Sequence, residues 1–164
     1  MQVIKKQLQL AAVLVAVILS ISSCSTVKKL PATVAGASRA RFVGTWTLTN
    51  VTYDGLIPGA VQNFLNEGAP EDLNGSIWKL TNSGNGTYTL VNGNSQAIFW
   101  SYDNSNGAVF QFKKLYPGDS ARKVQEGYQL TVASIDDTRM VLKSPVSLGD
   151  KTAYVILSFN KMQQ

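Results

Sequence analysis

The chain has 164 residues, of which 45% are hydrophobic and 15% charged, with 15 Lys and Arg against 10 Asp and Glu. This length predicts one domain that is large enough to bury a hydrophobic core. Because the sequence has no histidine and a single cysteine, Cys24, it excludes Ser-His-Asp and Cys-His catalytic pairs, His-ligated metal sites and a disulfide within the chain.

Residues 1–23 have the features of a signal peptide. Lys5 and Lys6 form a short basic segment, and an apolar run from Leu10 to Leu19 follows it. As a helix this run would be about 15 Å long, half of the roughly 30 Å that a bilayer core requires. A basic start, a short apolar stretch and small residues after it are typical of a secretory signal and not of a transmembrane anchor.

The end of this segment, Ile21-Ser22-Ser23-Cys24, resembles the lipobox of bacterial lipoproteins. The resemblance implies cleavage before Cys24 and lipid attachment to it, including an amide-linked chain such as palmitate, and such chains anchor a protein stably. Ser25 is not the Asp of the usual inner-membrane retention signal, and residues 25–29 lack an acidic surface-export run. We therefore expect a lipid-anchored protein on the periplasmic face of the outer membrane, with the cell surface as the alternative.

Residues 24–40 are interpreted as the acylated cysteine and a flexible tether, because they are small, partly basic and aperiodic. From there, residues 41–164 are expected to form one β domain. Short runs rich in aromatic and β-branched residues alternate with turns of Gly, Asn, Asp and Ser. They predict strands near 42–53, 76–82, 86–92, 96–102, 108–115, 127–135, 139–144 and 152–160.

Eight consecutive strands with alternating faces predict an all-β, up-and-down antiparallel β-barrel, because closure removes exposed strand edges. A β-sandwich is the alternative. Residues 55–75 are too long for a hairpin loop and predict one short helix or a lid after the first strand. Val61, Phe64 and Leu65 have helical spacing there and follow Pro58, which suits a helix start.

The first strand contains Gly44-Thr45-Trp46, and a later hairpin contains Trp78 and Gly86-Thr87-Tyr88. With the lipobox and the eight strands, these motifs resemble the lipocalin-like domain of Bacteroidota outer-membrane lipoproteins. The resemblance implies that Trp46 plugs one end of the barrel beside Gly44, and that a basic residue, Arg139 or Lys161, packs on its ring.

Alternation from Trp46 predicts a set of side chains that point into the barrel and are candidates for lining a ligand cavity. The same set also suits a core that its own side chains fill, and the sequence leaves both interpretations open. The set is Leu48, Trp78, Leu80, Tyr88, Leu90, Ile98, Trp100, Phe110, Phe112, Tyr128, Leu130, Met140 and Leu142.

No catalytic or metal site is predicted, and no cofactor or nucleic-acid partner is expected. The carboxylates of Glu67, Glu71 and Asp72 lie in the long 55–75 segment and are interpreted as solvated loop charges. The basic pairs Lys113-Lys114 and Arg122-Lys123 flank residues 116–120 and are interpreted as a solvated loop, with contact to lipid headgroups or an acidic partner as the alternative. Within that loop Asp119-Ser120-Ala121 resembles a Bacteroidota O-glycosylation acceptor, which makes Ser120 a candidate site.

Two functions remain open for this predicted domain, both without catalysis and both on a membrane-anchored chain. The first is binding of a small hydrophobic ligand or lipid, which requires a cavity that opens opposite Trp46. The second is an accessory subunit of an outer-membrane protein complex, which predicts a filled barrel and an exposed apolar patch, for instance around Phe64 and Leu65.

Overall fold

The computed structural model of the protein describes residues 34–163. Eight antiparallel strands follow one another in chain order and close into a barrel, in which β1 pairs with both β2 and β8. This confirms the predicted all-β, up-and-down architecture. The strands are β1 (Gly44–Asp54), β2 (Ile77–Leu80), β3 (Asn85–Thr89), β4 (Ser95–Asp103), β5 (Val109–Leu115), β6 (Tyr128–Ile135), β7 (Arg139–Leu148) and β8 (Lys151–Lys161).

The strands form because their apolar residues recur at every second position and bury one face. In β5 every second side chain is buried, and β8 shows the same alternation. The connecting turns use residues that adopt positive φ angles, such as Gly84 at +95° and Gly93 at +88°.

β7 extends further than the sequence pattern indicates, because it continues through Pro145 to Leu148. Pro145 pairs with Tyr154 of β8, whereas the register of β7 with β6 ends at Lys143. A proline is tolerated there because that stretch of β7 has only one neighbouring strand to satisfy.

The chain enters the barrel at one end, which we call the plug end. A one-turn helix, α1 (Arg39–Phe42), lies there together with the turns at 81–84, 104–107 and 136–138. Arg39 donates to the carbonyl of Asn82 at 3.0 Å, and Arg41 lies 3.8 Å from Asp137. The helix α1 is thereby fixed to the plug end.

The predicted tether overlaps this folded region. Val34 and Ala37 pack against the hydrophobic core, so residues 34–40 belong to the domain and are not a free linker. The predicted signal peptide, Cys24 and the rest of the tether lie outside the described residues.

The opposite end, which we call the lid end, carries the long segment 55–76 and the connections at 90–94, 116–127 and 149–150. The short helix after β1 is a 3-10 helix, Pro70–Leu73, and not the stretch that begins at Pro58. Leu65 and Asn66 adopt left-handed conformations with φ of 55° and 56°, which end any helix at this point. None of the helices within residues 34–163 is long and apolar enough to cross a membrane.

Candidate functional site at the lid end of the barrel

The side chains that were predicted to face inward do so, and all except the half-buried Tyr128 are buried in one hydrophobic core. Their rings contact one another: Trp78 lies 4.7 Å from Tyr88, 5.5 Å from Phe112 and 5.8 Å from Phe159 between ring centroids. Such spacings are those of favourable aromatic pairs. These aromatic side chains therefore occupy the inside of the barrel along this stack.

Part of the inner face was not identified from the sequence. Phe42, Val132, Val155, Leu157 and Phe159 are all buried members of the same core. The alternation of β8 carries a sequence signal for the last three, because Val155, Leu157 and Phe159 occupy every second position.

The plug end shows why glycine precedes the tryptophan of β1. Trp46 is fully buried, and its indole N–H donates to the carbonyl of Phe42 at 2.8 Å. The ammonium of Lys161 lies 4.9 Å from the Trp46 ring centroid, so the basic residue on the tryptophan is Lys161 and not Arg139. Gly44 has a φ of +140°, and a Cβ at this position would approach Lys161 Cε to 2.5 Å. Gly44 therefore leaves room for the lysine.

At the lid end, residues 61–68 form the part of the long segment that covers the barrel, and we call this part the lid. The Phe64 amide donates to the carbonyl of Gly68 at 2.7 Å, and the Glu67 amide donates to the carbonyl of Phe64 at 3.1 Å. This tight turn accompanies a Phe64 side chain that is only 5% exposed and packs on the core. Phe64 therefore closes the barrel and is not part of an exposed apolar patch.

The same turn brings Glu67 to a buried cation. Lys114 is 6% exposed, and its ammonium forms an ion pair with the Glu67 carboxylate. The hydroxyl of Tyr88 also donates to Glu67, and the carbonyl of Asn66 accepts from Lys114 at 3.4 Å. Glu67 is thus not the solvated loop charge that the sequence predicts, and Lys114 is not part of a solvated basic loop.

The two partners of Glu67 belong to the barrel wall. Lys114 follows Phe110 and Phe112 on the inward face of β5, and Tyr88 lies on β3. The Lys114 ammonium is 5.8 Å from the ring centroid of Tyr88 and 5.7 Å from that of Tyr128. A desolvated cation near aromatic faces and a hydroxyl donor is an arrangement that attracts an anionic oxygen.

Three other carboxylates form hydrogen bonds at the lid end. Tyr53, on β1, donates its hydroxyl to Glu71, and Asp72 accepts from the amide of Ala69 at 3.0 Å. Asn66 donates to Glu126 at 2.9 Å and to the hydroxyl of Tyr128 at 3.0 Å. These bonds link the long segment to the loop that precedes β6.

The tyrosines of this region resist ionisation. Burial, together with the adjacent carboxylates, raises the pKa of Tyr53 and of Tyr128 to about 12 and also raises the pKa of Tyr88. The ordinary value of 10.0 applies to the unfolded chain. A raised pKa in the folded state contributes stability that is complete below pH 10 and is lost as the pH rises towards 12.

We therefore expect the free energy of unfolding to fall as the pH rises above 10. Urea unfolding across about pH 8 to pH 12 measures this fall. The variant Tyr128→Phe, which has no ionisable hydroxyl, should show a shallower fall than the wild-type protein. Equal slopes in the two proteins would contradict the pKa assignment of Tyr128.

Two depressions border the lid. A small pocket of about 70 Å³ lies beside Lys114 and is also lined by Tyr116, Asp119, Glu126 and Tyr128. An open groove of about 410 Å³ separates the lid residues Val61 to Leu65 from the β7 residues 144–146. The groove falls within the roughly 300–1,000 Å³ range of small-molecule sites.

The connections of the lid end also expose large apolar side chains. These four residues, which we call the rim, are Ile57, Val91, Tyr116 and Leu148, exposed to 76%, 74%, 62% and 46%. Ile57, Val91 and Tyr116 lie in the connections that follow β1, β3 and β5, and Leu148 is the last residue of β7. Ser120, the candidate glycosylation site, lies in the same region and is exposed.

Among residues 34–163, no three side chains of His, Cys, Asp or Glu come together as metal ligands. Comparison of the chain with protein-family models, with curated proteins and with solved structures gives no match. A proposal of function for this protein therefore depends on the geometry of the lid end.

Proposed function

We propose that this protein is a lipid-anchored lipoprotein on the periplasmic face of the bacterial outer membrane, whose barrel is a non-catalytic interaction module of an outer-membrane protein complex. The single observation that carries this proposal is the rim. Four large apolar side chains, one for each connection of the lid end, project into solvent. Large exposed apolar side chains that all lie at one end of a domain favour a surface that a partner covers.

The packing of the interior supports the same function. The inward rings of Trp78, Tyr88 and Phe112 fill the barrel and contact one another. A barrel of this kind is a rigid support for its loops, and loops on a rigid support commonly carry the binding residues.

Residues 39–42 lie at the end of the barrel opposite the rim. The chain reaches the barrel at the plug end, where Arg39 and Arg41 fix it to the turns. The lipobox-like segment ends at Cys24, ten residues before Val34. An acylated Cys24 would therefore anchor the domain to the membrane through the residues between Cys24 and Val34.

The rim can be tested with a matched pair of double variants. We expect Val91→Ser with Leu148→Ser to weaken partner capture about tenfold or more, because each apolar anchor contributes about 1 kcal/mol. The control, Ile77→Ser with Met162→Ser, removes apolar side chains that are exposed to 42% and 47% but lie away from the rim. Capture from detergent-solubilised membranes, quantified by mass spectrometry, provides the measurement.

Equal capture by the two double variants would exclude the rim as the binding surface. Failure of the wild-type protein to retain any stoichiometric protein would contradict the interaction function itself. Retention on protein-free vesicles that depends on the rim would assign this surface to lipid instead of protein.

A second candidate function is binding of a small hydrophobic ligand at the lid end. The observation in its favour is that Tyr128, which lines the groove between Val61 to Leu65 and residues 144–146, lies 5.7 Å from the buried Lys114 ammonium. A few polar groups beside an apolar surface are the usual composition of a small-molecule site. The lipocalin-like motifs of the sequence agree with this candidate.

A further inference from the structure

We propose that Lys114 and Tyr88 form a binding site for the carboxylate of a single-chain amphiphile, and that Glu67 of the lid occupies this site when no ligand is bound. The inference rests on the ligand-binding candidate above and names its ligand class. It is independent of the rim and of any protein partner.

Lys114 lies on the inward face of β5, where Phe110 and Phe112 are the preceding inward residues. Removal of an ammonium group from water is costly, and a buried ion pair is seldom more stable than the apolar residues that could replace it. A barrel that needed only stability would carry an apolar side chain at this position, so the cation points to a binding role.

The carboxylate and the groups that bind it come from different parts of the fold. Glu67 comes from the lid and not from the barrel wall, whereas both groups that donate to it, Lys114 and Tyr88, belong to strands. The wall thus provides the binding groups, and a separate segment provides the occupant. Displacement of Glu67 leaves the wall groups in place for another carboxylate.

The lid brings both an apolar group and an anionic group to the barrel. Its tight turn places an apolar ring, Phe64, and a carboxylate, Glu67, against the barrel together. This pair has the composition of a short amphiphile, with an apolar part and an anionic group. Leu65 and Asn66, between them, adopt left-handed conformations, which are costly for residues other than glycine. Release of the lid removes this strain, and this gain offsets part of the free energy that is lost with the contacts of the lid.

The charges around the site favour a single negative charge on the ligand. One lysine balances one carboxylate, and Glu67 already provides that balance. Asp119 and Glu126 line the small pocket on the other side of Lys114. A phosphate dianion would meet repulsion from these two carboxylates, whereas a monocarboxylate replaces Glu67 without a change in charge.

The groove beside the lid accounts for the apolar part of the ligand. Its walls include Val61, Phe64 and Leu65 on one side and Pro145 and Val146 on the other, and Tyr128 connects it to the Lys114 cluster. When the lid is displaced, an alkyl chain would pack against the part of this surface that stays in place, Tyr128, Pro145 and Val146, while its headgroup binds Lys114.

The test uses the full-length protein in lipid nanodiscs and sodium octanoate as the probe. Hydrogen–deuterium exchange of residues 61–68 reports the lid, because the Phe64 and Glu67 amides are hydrogen-bonded in its turn. We expect octanoate to accelerate this exchange in a saturable manner, and octanol at equal concentration to leave it unchanged. Octyl phosphate should act only at about tenfold higher concentration.

Variants separate the wall from the lid. Glu67→Gln should lower the midpoint concentration of octanoate about tenfold or more, because the internal competitor has lost its charge. Lys114→Met should abolish the octanoate response. The matched control, Asp150→Asn, removes an exposed carboxylate from another connection of the lid end and should leave the midpoint within about twofold.

Three results would overturn the inference: an unchanged wild-type lid in saturating octanoate, an unchanged midpoint in Glu67→Gln, or a wild-type response in Lys114→Met. The first requires no variant and is independent of variant folding. Binding of octanol that is insensitive to Lys114→Met would preserve the ligand-binding candidate and reject the carboxylate site. Partner capture through the rim is measured separately, so that the two functions fail separately.

Discussion

Replacement of Glu67 by alanine is expected to lower the free energy of unfolding by about 3 kcal/mol, because it leaves a buried ammonium without its carboxylate. Lys114 is 6% exposed, and Glu67 provides its ion pair. The hydroxyl of Tyr88 loses the same acceptor. Urea denaturation of the single variant, followed by tryptophan fluorescence, measures the change.

A double-mutant cycle distinguishes this pair from a sum of independent contacts. Glu67→Ala combined with Lys114→Met removes both charges, and we expect it to be less destabilised than the sum of the single variants by at least about 1 kcal/mol. Asp150→Ala is the matched control for an exposed carboxylate at the same end of the barrel. Additive free energies in the cycle would show that Glu67 and Lys114 do not depend on each other.

The second large effect concerns the plug end. Trp46→Ala is expected to destabilise the barrel by about 3–5 kcal/mol, since it removes a fully buried indole and leaves a cavity. It also removes the ring beneath the Lys161 ammonium and the donor to the Phe42 carbonyl. Thermal and urea unfolding of the purified protein provide the measurement.

Two further variants serve as controls for Trp46. Lys161→Met retains the indole and removes only the cation above it, so we expect a loss of about 1 kcal/mol. Ile77→Ala truncates a side chain that is 42% exposed on the outside of the barrel, and its effect should stay near 0.5 kcal/mol. A melting temperature of Trp46→Ala close to that of the wild-type protein would reject the plug assignment.

The strands were predictable because their alternation is strong and their turns are marked. Val109–Leu115 reads apolar at its buried positions until Lys114, and the turns after β3 and before β8 carry Gly, Asn or Asp. The closed order of the strands followed from consecutive antiparallel pairing.

The candidate site was harder to predict, because charge and alternation conflict there. Alternation that places Phe110 and Phe112 inward also places Lys114 inward, but a lysine beside a turn usually remains in solvent. Its partner Glu67 is 47 residues away, and short-range patterns do not reveal such a contact. The positive φ angles of Leu65 and Asn66 likewise have no glycine to signal them, so the helical spacing around Phe64 was misleading.

The most direct test of the proposal that the rim binds a protein partner is site-specific photo-crosslinking in intact cells. A photoreactive residue at Val91, on the rim, is compared with one at Asn104, which is exposed at the plug end. We expect a discrete crosslinked protein partner from position 91 and none from position 104. Crosslinks to the same partner from both positions, or from position 104 alone, would contradict the proposal.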